Sequence, residues 1–298
     1  MSVTLNAEQL TQVLPTLRSF HPKSLQIEAM VRNHLSGICA WPGVEFVADQ
    51  FPDYRVIICR VIKNSKEFVG RASVPGITLL SKDDAVLAEM LADCVDWSTE
   101  LIFVGIPKTI CPIVERIGAV KGTISENHDD AYCVAFTLDP AEMILRPLPA
   151  GFVLGELSEH HAEQLCSEWK YGSAAMLPYF QFLLCSNFPS AAVFEEGSDV
   201  PVAYVIYSLG DGSLGTGYVH EKYRGNGLFH IVCYHAALKI RNIGQEIVWV
   251  YVEKANQSSL NAFRKMGAKM VDPREWSIDW MMYAPKFCDE DSKDIVTS

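Results

Sequence analysis

The feature that most constrains this chain is a short glycine-containing loop in its second half. The loop Tyr223–Gly227 reads YRGNG and joins the run Leu214–His220 to the segment Leu228–Arg241. The first run has the composition of a strand. The second carries apolar residues at steps of three and four, which predicts an amphipathic helix. A strand that passes through so short a loop into a helix predicts a layered α/β fold.

The loop also predicts a ligand chemistry. Backbone N–H groups in the first turn of a helix have no intrahelical partner, and the helix dipole places partial positive charge there. Glycines let a phosphate approach the main chain closely, so the loop predicts a phosphate-binding turn. The third glycine of a dinucleotide-binding loop and the GK[ST] ending of a P-loop are both missing, which argues against those two sites. By itself, such a loop more often is a surface turn that only caps a helix, and its position between a strand and an amphipathic helix favours the binding interpretation.

The rest of the second half alternates between strand and helix patterns. Strands are predicted at Gly151–Leu157, Ala191–Glu195, Pro201–Leu209, Glu246–Glu253 and Trp276–Tyr283, and helices at Glu159–Lys170, Ala174–Cys185 and Ser258–Met266. The run EIVWVYVE is apolar between its terminal glutamates, as in a strand buried on both faces. This order predicts a mixed sheet with antiparallel edges and helices on its faces.

The first half shows a similar order of patterns. Helices are predicted at Asn6–Phe20, Asp83–Asp93 and Ile110–Ile117, and strands at Asp53–Val61 and Glu100–Ile106. We interpret this half as a degenerate copy of the same fold, because no glycine-rich turn lies between Ile106 and the helix that follows it. The segment Arg146–Gly151, RPLPAG, separates the halves. We therefore predict one domain at 1–147, a second at 148–287, and an acidic tail at 288–298 that frays.

Composition and charge argue against several other classes of protein. From Gly151 onward the chain has 12 of its 25 basic and 18 of its 36 acidic residues, so neither half is basic and no nucleic acid partner is expected. No apolar run reaches the roughly 18 residues of a membrane span, so no membrane partner is expected. No Lys or Arg precedes Arg18, so no secretion signal or presequence is recognisable. The nine cysteines form no CxxC pair, and no metal is expected.

The segment around the loop resembles a known cofactor site. GYVHEKYRGNGLF at 217–229, followed by a strand and an Asn-x-x-Ser helix, resembles the coenzyme A site of the GNAT acyltransferase superfamily. The superfamily pattern R/Q-x-x-G-x-G/A is met at Arg224 and Gly227 and not at Phe229. A resemblance to the glycine N-acyltransferase family spans almost the whole chain, in the segments VADQFPDYRVIIC, SEWKYGS, NFPSAAVF and VDPREWSIDW.

This resemblance implies a fold, a reaction and a set of site residues. It implies tandem GNAT-like domains, the first degenerate, in an intracellular protein of the cytoplasm or mitochondrion. The implied reaction moves an acyl group from acyl-coenzyme A, a cosubstrate, to the amine of glycine or another small amine by direct attack. Coenzyme A contacts are implied for Tyr218, Val219, Arg224, Gly225, Asn226, Gly227, Leu228, Asn256 and Ser259.

The general base is left open by the sequence. The family carries a glutamate immediately before the Tyr-Arg pair of the loop, and Lys222 takes that position here. Glu221 lies one residue earlier, so at a strand end it points to the opposite face. The candidates are His220, Glu221 and Glu253, and Phe263 replaces the family tyrosine that protonates the leaving thiolate. The alternative function is a non-catalytic acyl-coenzyme A binding or sensing protein.

Overall fold

The structure of the chain is a computed structural model that describes residues 2–62, 74–125 and 132–285. The predicted tail at 288–298 lies outside the described residues. The predicted elements are present, displaced by at most three residues at their ends. The helix predicted at Asn6–Phe20, for example, runs from Ala7 to Arg18 behind a capping box, in which the Asn6 side chain accepts from the backbone of Gln9.

The first half contains four helices and seven strands among the described residues. In chain order they are β1 (Val3–Thr4), α1 (Ala7–Arg18), α2 (Leu25–Ser36), β2 (Val44–Ala48), β3 (Val56–Val61), β4 (Gly76–Ser81), α3 (Asp84–Cys94), β5 (Leu101–Pro107), α4 (Cys111–Val120), β6 (Thr123–Ser125) and β7 (Cys133–Leu138). Six of these elements are not predicted by the sequence patterns, and three of the six, α2, β4 and β7, prove important for the architecture; the others are β1, β2 and β6.

The second half repeats this type of order. Its elements are β8 (Phe152–Gly155), α5 (Ala162–Glu168), α6 (Leu177–Cys185), β9 (Ser190–Glu195), β10 (Pro201–Tyr207), β11 (Leu214–Val219), α7 (Leu228–Asn242), β12 (Val248–Glu253), α8 (Gln257–Lys265), β13 (Lys269–Met270) and β14 (Ser277–Pro285). The predicted mixed α/β architecture is thereby confirmed.

The strands form two sheets. The larger sheet has the order β1-β2-β3-β4-β5-β14-β7-β12, with β6 paired to β14 and β13 paired to β7, and the smaller sheet has the order β11-β10-β9-β8. Strands β4 and β5 pair in parallel, and the other ladders are antiparallel. The larger sheet therefore contains strands from both halves of the chain.

The two halves exchange their last strands. Strand β7 belongs to the first half but pairs with β12, from Val248↔Leu138 to Glu253↔Cys133. Strand β14 closes the chain but pairs with β5, including Tyr283↔Leu101, and with β6. The division predicted near Arg146–Gly151 stays a prediction, and the strand pairing shows that each half is completed by the other.

One pair of neighbouring strands separates instead of pairing. Helix α7 connects β11 to β12, yet β11 lies at an edge of the smaller sheet and β12 at an edge of the larger one. A bulge in β11, with Thr216 at φ 48°, shifts its register against β10 and bends the strand. A gap therefore opens between β11 and β12.

The strand exchange predicts that both halves unfold together. Ile278 in β14 is fully buried in a cluster with Leu25 of α2 and Trp249 of β12, whereas Met282 in the same strand is 40% exposed. We expect Ile278→Ala to lower the free energy of unfolding by about 2–5 kcal/mol. Met282→Ala, the matched control, should change it by less than about 0.5 kcal/mol.

The measurement is denaturant unfolding followed by far-UV circular dichroism and by tryptophan fluorescence. Coincident transitions are expected for both variants. Two separate transitions in the unsubstituted protein would contradict the mutual dependence of the two halves.

Candidate functional site

The gap is lined on one side by the free edge of β11. On its other edge β11 pairs with β10, with Tyr218 opposite Tyr204 and Val219 opposite Ala203. No strand among the described residues pairs with β11 on the gap side. The unpaired backbone groups on that edge can therefore hydrogen-bond to an extended ligand that adds itself as a strand.

The predicted phosphate-binding turn lies directly above this edge. Gly225 and Gly227 adopt left-handed conformations with φ 85° and 79°, which favour glycine. Gly227 is the N-cap of α7, and no side chain caps this helix. The first N–H groups of α7 therefore remain available for an anion, and the helix dipole favours negative charge there.

The polar side chains of the turn brace the loop. Arg224 Nε donates to the Val219 carbonyl at 3.2 Å, and Asn226 Nδ2 donates to the Tyr223 carbonyl at 3.2 Å. Both side chains thus hold the loop against the end of β11, while Leu228 begins the helix as a buried residue. We expect Arg224, Asn226 and Leu228 to contact a ligand through their backbone N–H groups.

Phe229 departs from the superfamily pattern, and Gly217 makes room for it. A Cβ at position 217 would lie only 2.8 Å from Phe229 Cε2. The ring therefore occupies space that a side chain on β11 would take. This contact also shows that Gly217 faces α7.

The equivalent turn of the first half is filled by the chain itself. It lies between β4 and α3, where the Asp83 side chain accepts from the N–H groups of Ala85 and Val86 at 3.0 and 3.1 Å. A carboxylate therefore occupies the helix start that could otherwise bind phosphate. The sequence prediction sought the lost turn after Ile106, because β4 has no recognisable pattern of its own.

Arg146 lies beside the loop, at a place that the sequence patterns do not predict. A Cβ at Gly227 would lie 3.4 Å from both Cδ and Nη1 of Arg146, so this side chain crosses the start of α7. Burial lowers the pKa of His230 in the first turn of α7, and the charge of Arg146 adds to this effect. Arg146 lies in the RPLPAG linker, where composition indicates only a domain break.

Asn256 and Ser259 lie beyond the end of β12, on the far side of the gap. Asn256 Oδ1 accepts from the Ser259 backbone at 3.1 Å and caps α8. The predicted contact of these two residues with a coenzyme A arm stays a prediction. The cap explains the Asn-x-x-Ser spacing by local structure alone.

The three candidate bases lie in two different places. His220 and Glu221 are exposed and belong to the short 3-10 turn before the loop, where His220 Nδ1 accepts from the Lys222 backbone at 3.3 Å. Glu253 ends β12, and both its oxygens accept from Lys170 Nζ, at 2.8 and 3.1 Å. No hydrogen bond or ion pair between described residues joins the turn to Glu253.

Phe263 is part of the apolar core. It is 4% exposed, and its ring lies 5.9 Å from that of Phe136 and 5.5 Å from that of Phe229. The position at which the family places a tyrosine therefore offers no proton donor here.

A second group of polar side chains lies on the face of β11 away from α7. Tyr218 stacks on Tyr204 at 5.4 Å, and the Tyr204 hydroxyl donates to Glu168 Oε2 at 3.2 Å. Gln164 Nε2 donates to Glu168 Oε1 at 3.0 Å. Burial raises the pKa of both tyrosines. The sequence signal for this group is the SEWKYGS segment, which resembles the family but reveals no role.

Two classes of feature are absent from the described part of the chain. Residues 2–62, 74–125 and 132–285 contain no group of three or more His, Cys, Asp or Glu side chains arranged to hold a metal ion. No helix in these ranges combines the length and apolar character needed to cross a bilayer.

Comparison with known families finds one match, which lies in the second half of the chain. Residues 157–268 match the sequence profile described as "Acetyltransferase (GNAT) family". This range begins two residues after β8, ends at the residue after Gly267, and includes the gap and the loop. The second half is therefore similar in sequence to the GNAT acetyltransferase family. Among curated proteins, no sequence matches this chain.

Solved structures resemble the chain over nearly its full length. A Drosophila protein has a TM-score of 0.77 at 14% identity, covering 96% of this chain and 99% of that one. A tandem GNAT protein from the clavulanic acid biosynthesis pathway has a TM-score of 0.52 at 14% identity, covering 95% and 97%. A GCN5-related N-acetyltransferase from Sphaerobacter thermophilus has a TM-score of 0.54 at 11% identity, covering 95% and 94%. These likenesses support the tandem GNAT-like fold.

Gly227 provides the first test of the site. A β-branched residue in its left-handed conformation carries a strain of about 1–3 kcal/mol, and the new side chain would meet Arg146. We expect Gly227→Val to weaken coenzyme A binding at least about tenfold in calorimetric titration. Gly197→Val is the matched control, because Gly197 has φ 80° and open space around it. Its coenzyme A affinity should not change, and an unchanged affinity for Gly227→Val would mean that the loop is not the site.

Arg146 provides a second, electrostatic test. We expect Arg146→Ala to weaken coenzyme A binding about five- to thirtyfold, since a charged hydrogen bond contributes about 1–2 kcal/mol, and to reduce its dependence on salt. Pantetheine, which lacks the phosphates, should bind both proteins equally. Arg241→Ala, near the other end of α7 and beside Asp139, is the control. Equal loss of affinity for pantetheine would contradict a role at the phosphates.

Proposed function

We propose that the protein is an N-acyltransferase that moves an acyl group from acyl-coenzyme A to the amine of glycine or another small amine. The observation that carries this proposal is the uncapped start of α7 behind Gly225 and Gly227, placed above the gap between β11 and β12. The GNAT domain at 157–268 supports the acyl-transfer chemistry in general.

The site offers complementary surfaces to each part of acyl-coenzyme A. The backbone of Arg224–Leu228 would bind the pyrophosphate, with Arg146 adding charge. The free edge of β11 at Tyr218 and Val219 would pair with the pantetheine arm, and Asn256 and Ser259 would contact it from the opposite side. The cosubstrate fits because its anionic end meets unpaired N–H groups and its extended arm meets an unpaired strand edge.

The chemical step requires a base that frees the amine and donors that stabilise the oxyanion. The amine attacks the thioester carbonyl, and backbone N–H groups near Tyr218 would stabilise the developing oxyanion. Because Phe263 is buried in apolar surroundings, the proton for the leaving thiolate has to come from elsewhere. A coenzyme A thiolate also leaves without an acid, and water then protonates it.

The choice of glycine or another small amine rests on the resemblance to glycine N-acyltransferases. The segments SEWKYGS and NFPSAAVF, which carry it, form the end of α5 with its following loop and the beginning of β9. The same resemblance supports an intracellular location, in the cytoplasm or mitochondrion.

A second candidate function is non-catalytic binding or sensing of acyl-coenzyme A. Two observations favour it. Lys222 is exposed and pairs with Glu195 at 3.7 Å where the family has its glutamate, and Phe263 offers no phenol. In this case the loop would bind the cosubstrate without turnover.

A free-thiol release assay separates the two functions. We expect release of coenzyme A from short, medium and aromatic acyl-coenzyme A in the presence of glycine, with the N-acyl product confirmed by mass spectrometry. Calorimetric binding of coenzyme A is measured on the same sample. Tight binding without turnover for every tested acyl donor and amine would support the sensing function and overturn the enzymatic one.

A further inference from the structure

The face of the gap opposite α7 contains one carboxylate in a defined orientation. Glu168, the last residue of α5, is half-buried and accepts one hydrogen bond on each oxygen, from the Tyr204 hydroxyl and from Gln164. Both donors are uncharged. An ionised carboxylate has about four acceptor positions, so two remain open.

The strand geometry places Glu168 beside the gap. Gly217 faces α7 through its contact with Phe229, so the next residue, Tyr218, faces the opposite side. There Tyr218 stacks on Tyr204, which bonds Glu168. Burial raises the pKa of Tyr218, and the negative charge of Glu168 adds to this effect. Glu168 therefore lies on the face of β11 opposite α7, from which an amine would approach a thioester held at the free edge of β11.

The segment that follows Glu168 crosses the gap. Glu168 is bonded to β10 in the smaller sheet, and two residues later Lys170 is bonded to Glu253 at the end of β12 in the larger sheet. The SEWKYGS segment thus runs from the smaller sheet to the larger one on the face opposite α7. The ion pair Lys170–Glu253 holds this crossing in place.

We propose that Glu168 is the general base of the acyl transfer and binds the acceptor ammonium before the reaction. This inference rests on the proposed function and names a residue for it. His220 and Glu221 belong to the 3-10 turn between β11 and the loop, at the end of β11 that leads into the proposed pyrophosphate site. Glu253 is neutralised by Lys170, whereas Glu168 carries no cationic partner among the described residues and remains available to a substrate ammonium.

The reaction begins with a proton transfer from the acceptor ammonium to Glu168. The ammonium gives one proton to a Glu168 oxygen, and the resulting free amine attacks the thioester carbonyl carbon. The C–N bond forms and the C–S bond breaks, so that the electron pair leaves with sulfur as coenzyme A thiolate. The second proton of the nitrogen passes to the thiolate, and Glu168 returns its proton to water.

The test compares Glu168→Gln with Glu163→Gln, an exposed glutamate on the same helix. We expect Glu168→Gln to lower kcat with glycine about a hundredfold or more at neutral pH, as is typical when a general base is removed. Its affinity for coenzyme A should stay within a factor of about two. Glu163→Gln should leave both quantities unchanged.

The way in which the loss of kcat varies with the basicity of the amine distinguishes a general base from a residue with only a structural role. The defect of Glu168→Gln should shrink as pH rises, because solution then supplies the free amine. It should also be smaller with glycinamide, whose amine is less basic than that of glycine. Glu168→Asp should retain part of the activity and serves as the test variant if Glu168→Gln does not fold, as judged by circular dichroism.

Two results would overturn the proposal. One is a loss of kcat that is equal at every pH and for both amines, and the other is full activity in Glu168→Gln or, where that variant does not fold, in Glu168→Asp. Failure of the proposed function looks different, because the unsubstituted protein itself would then bind coenzyme A without turnover. Tyr204→Phe, which removes one hydrogen bond to Glu168, should cause an intermediate loss with the same pH dependence.

Discussion

The separation of β11 from β12 is the constraint on which the rest of the structure depends. Adjacent parallel strands joined by a helix normally pair, and here each ends its own sheet. The bulge at Thr216 turns β11 away, and β7 from the other half satisfies the inner edge of β12. Among the described residues, β11 pairs only with β10 and β12 only with β7. The edges of β11 and β12 that border the gap are therefore the ones left free for a ligand.

The corresponding turns of the two halves differ in what occupies the start of the helix that follows. At the start of α3 the Asp83 carboxylate fills the helix terminus, and at the start of α7 Gly227 leaves it open. In the first half the chain itself satisfies the N–H groups of the helix start, and in the second half we propose that an external anion does so. The first half, whose turn is filled by Asp83, still contributes to the second half, because β7 pairs with β12.

Local patterns predict a large part of the fold and of the phosphate-binding loop. Leu228–Asn242 and Val248–Glu253 are recognisable because their periodicity reflects burial along a single element. Helix α2 and strand β4 are missed, since α2 is buried around much of its surface and β4 begins at a glycine under Trp41. Lys170 and Arg146 are also missed, because their partners lie far away in the sequence.

The glycine turn, the start of α7 and the alternation of strands and helices are encoded locally. These features depend on backbone conformation and on contacts within a few residues, so they are legible in a linear pattern. Three arrangements are visible only in the folded chain: the exchange of β7 and β14, the run from one sheet to the other at Glu168 and Lys170, and the approach of Arg146 to Gly227. Those arrangements depend on which distant surfaces bury each other, and no local periodicity encodes that choice.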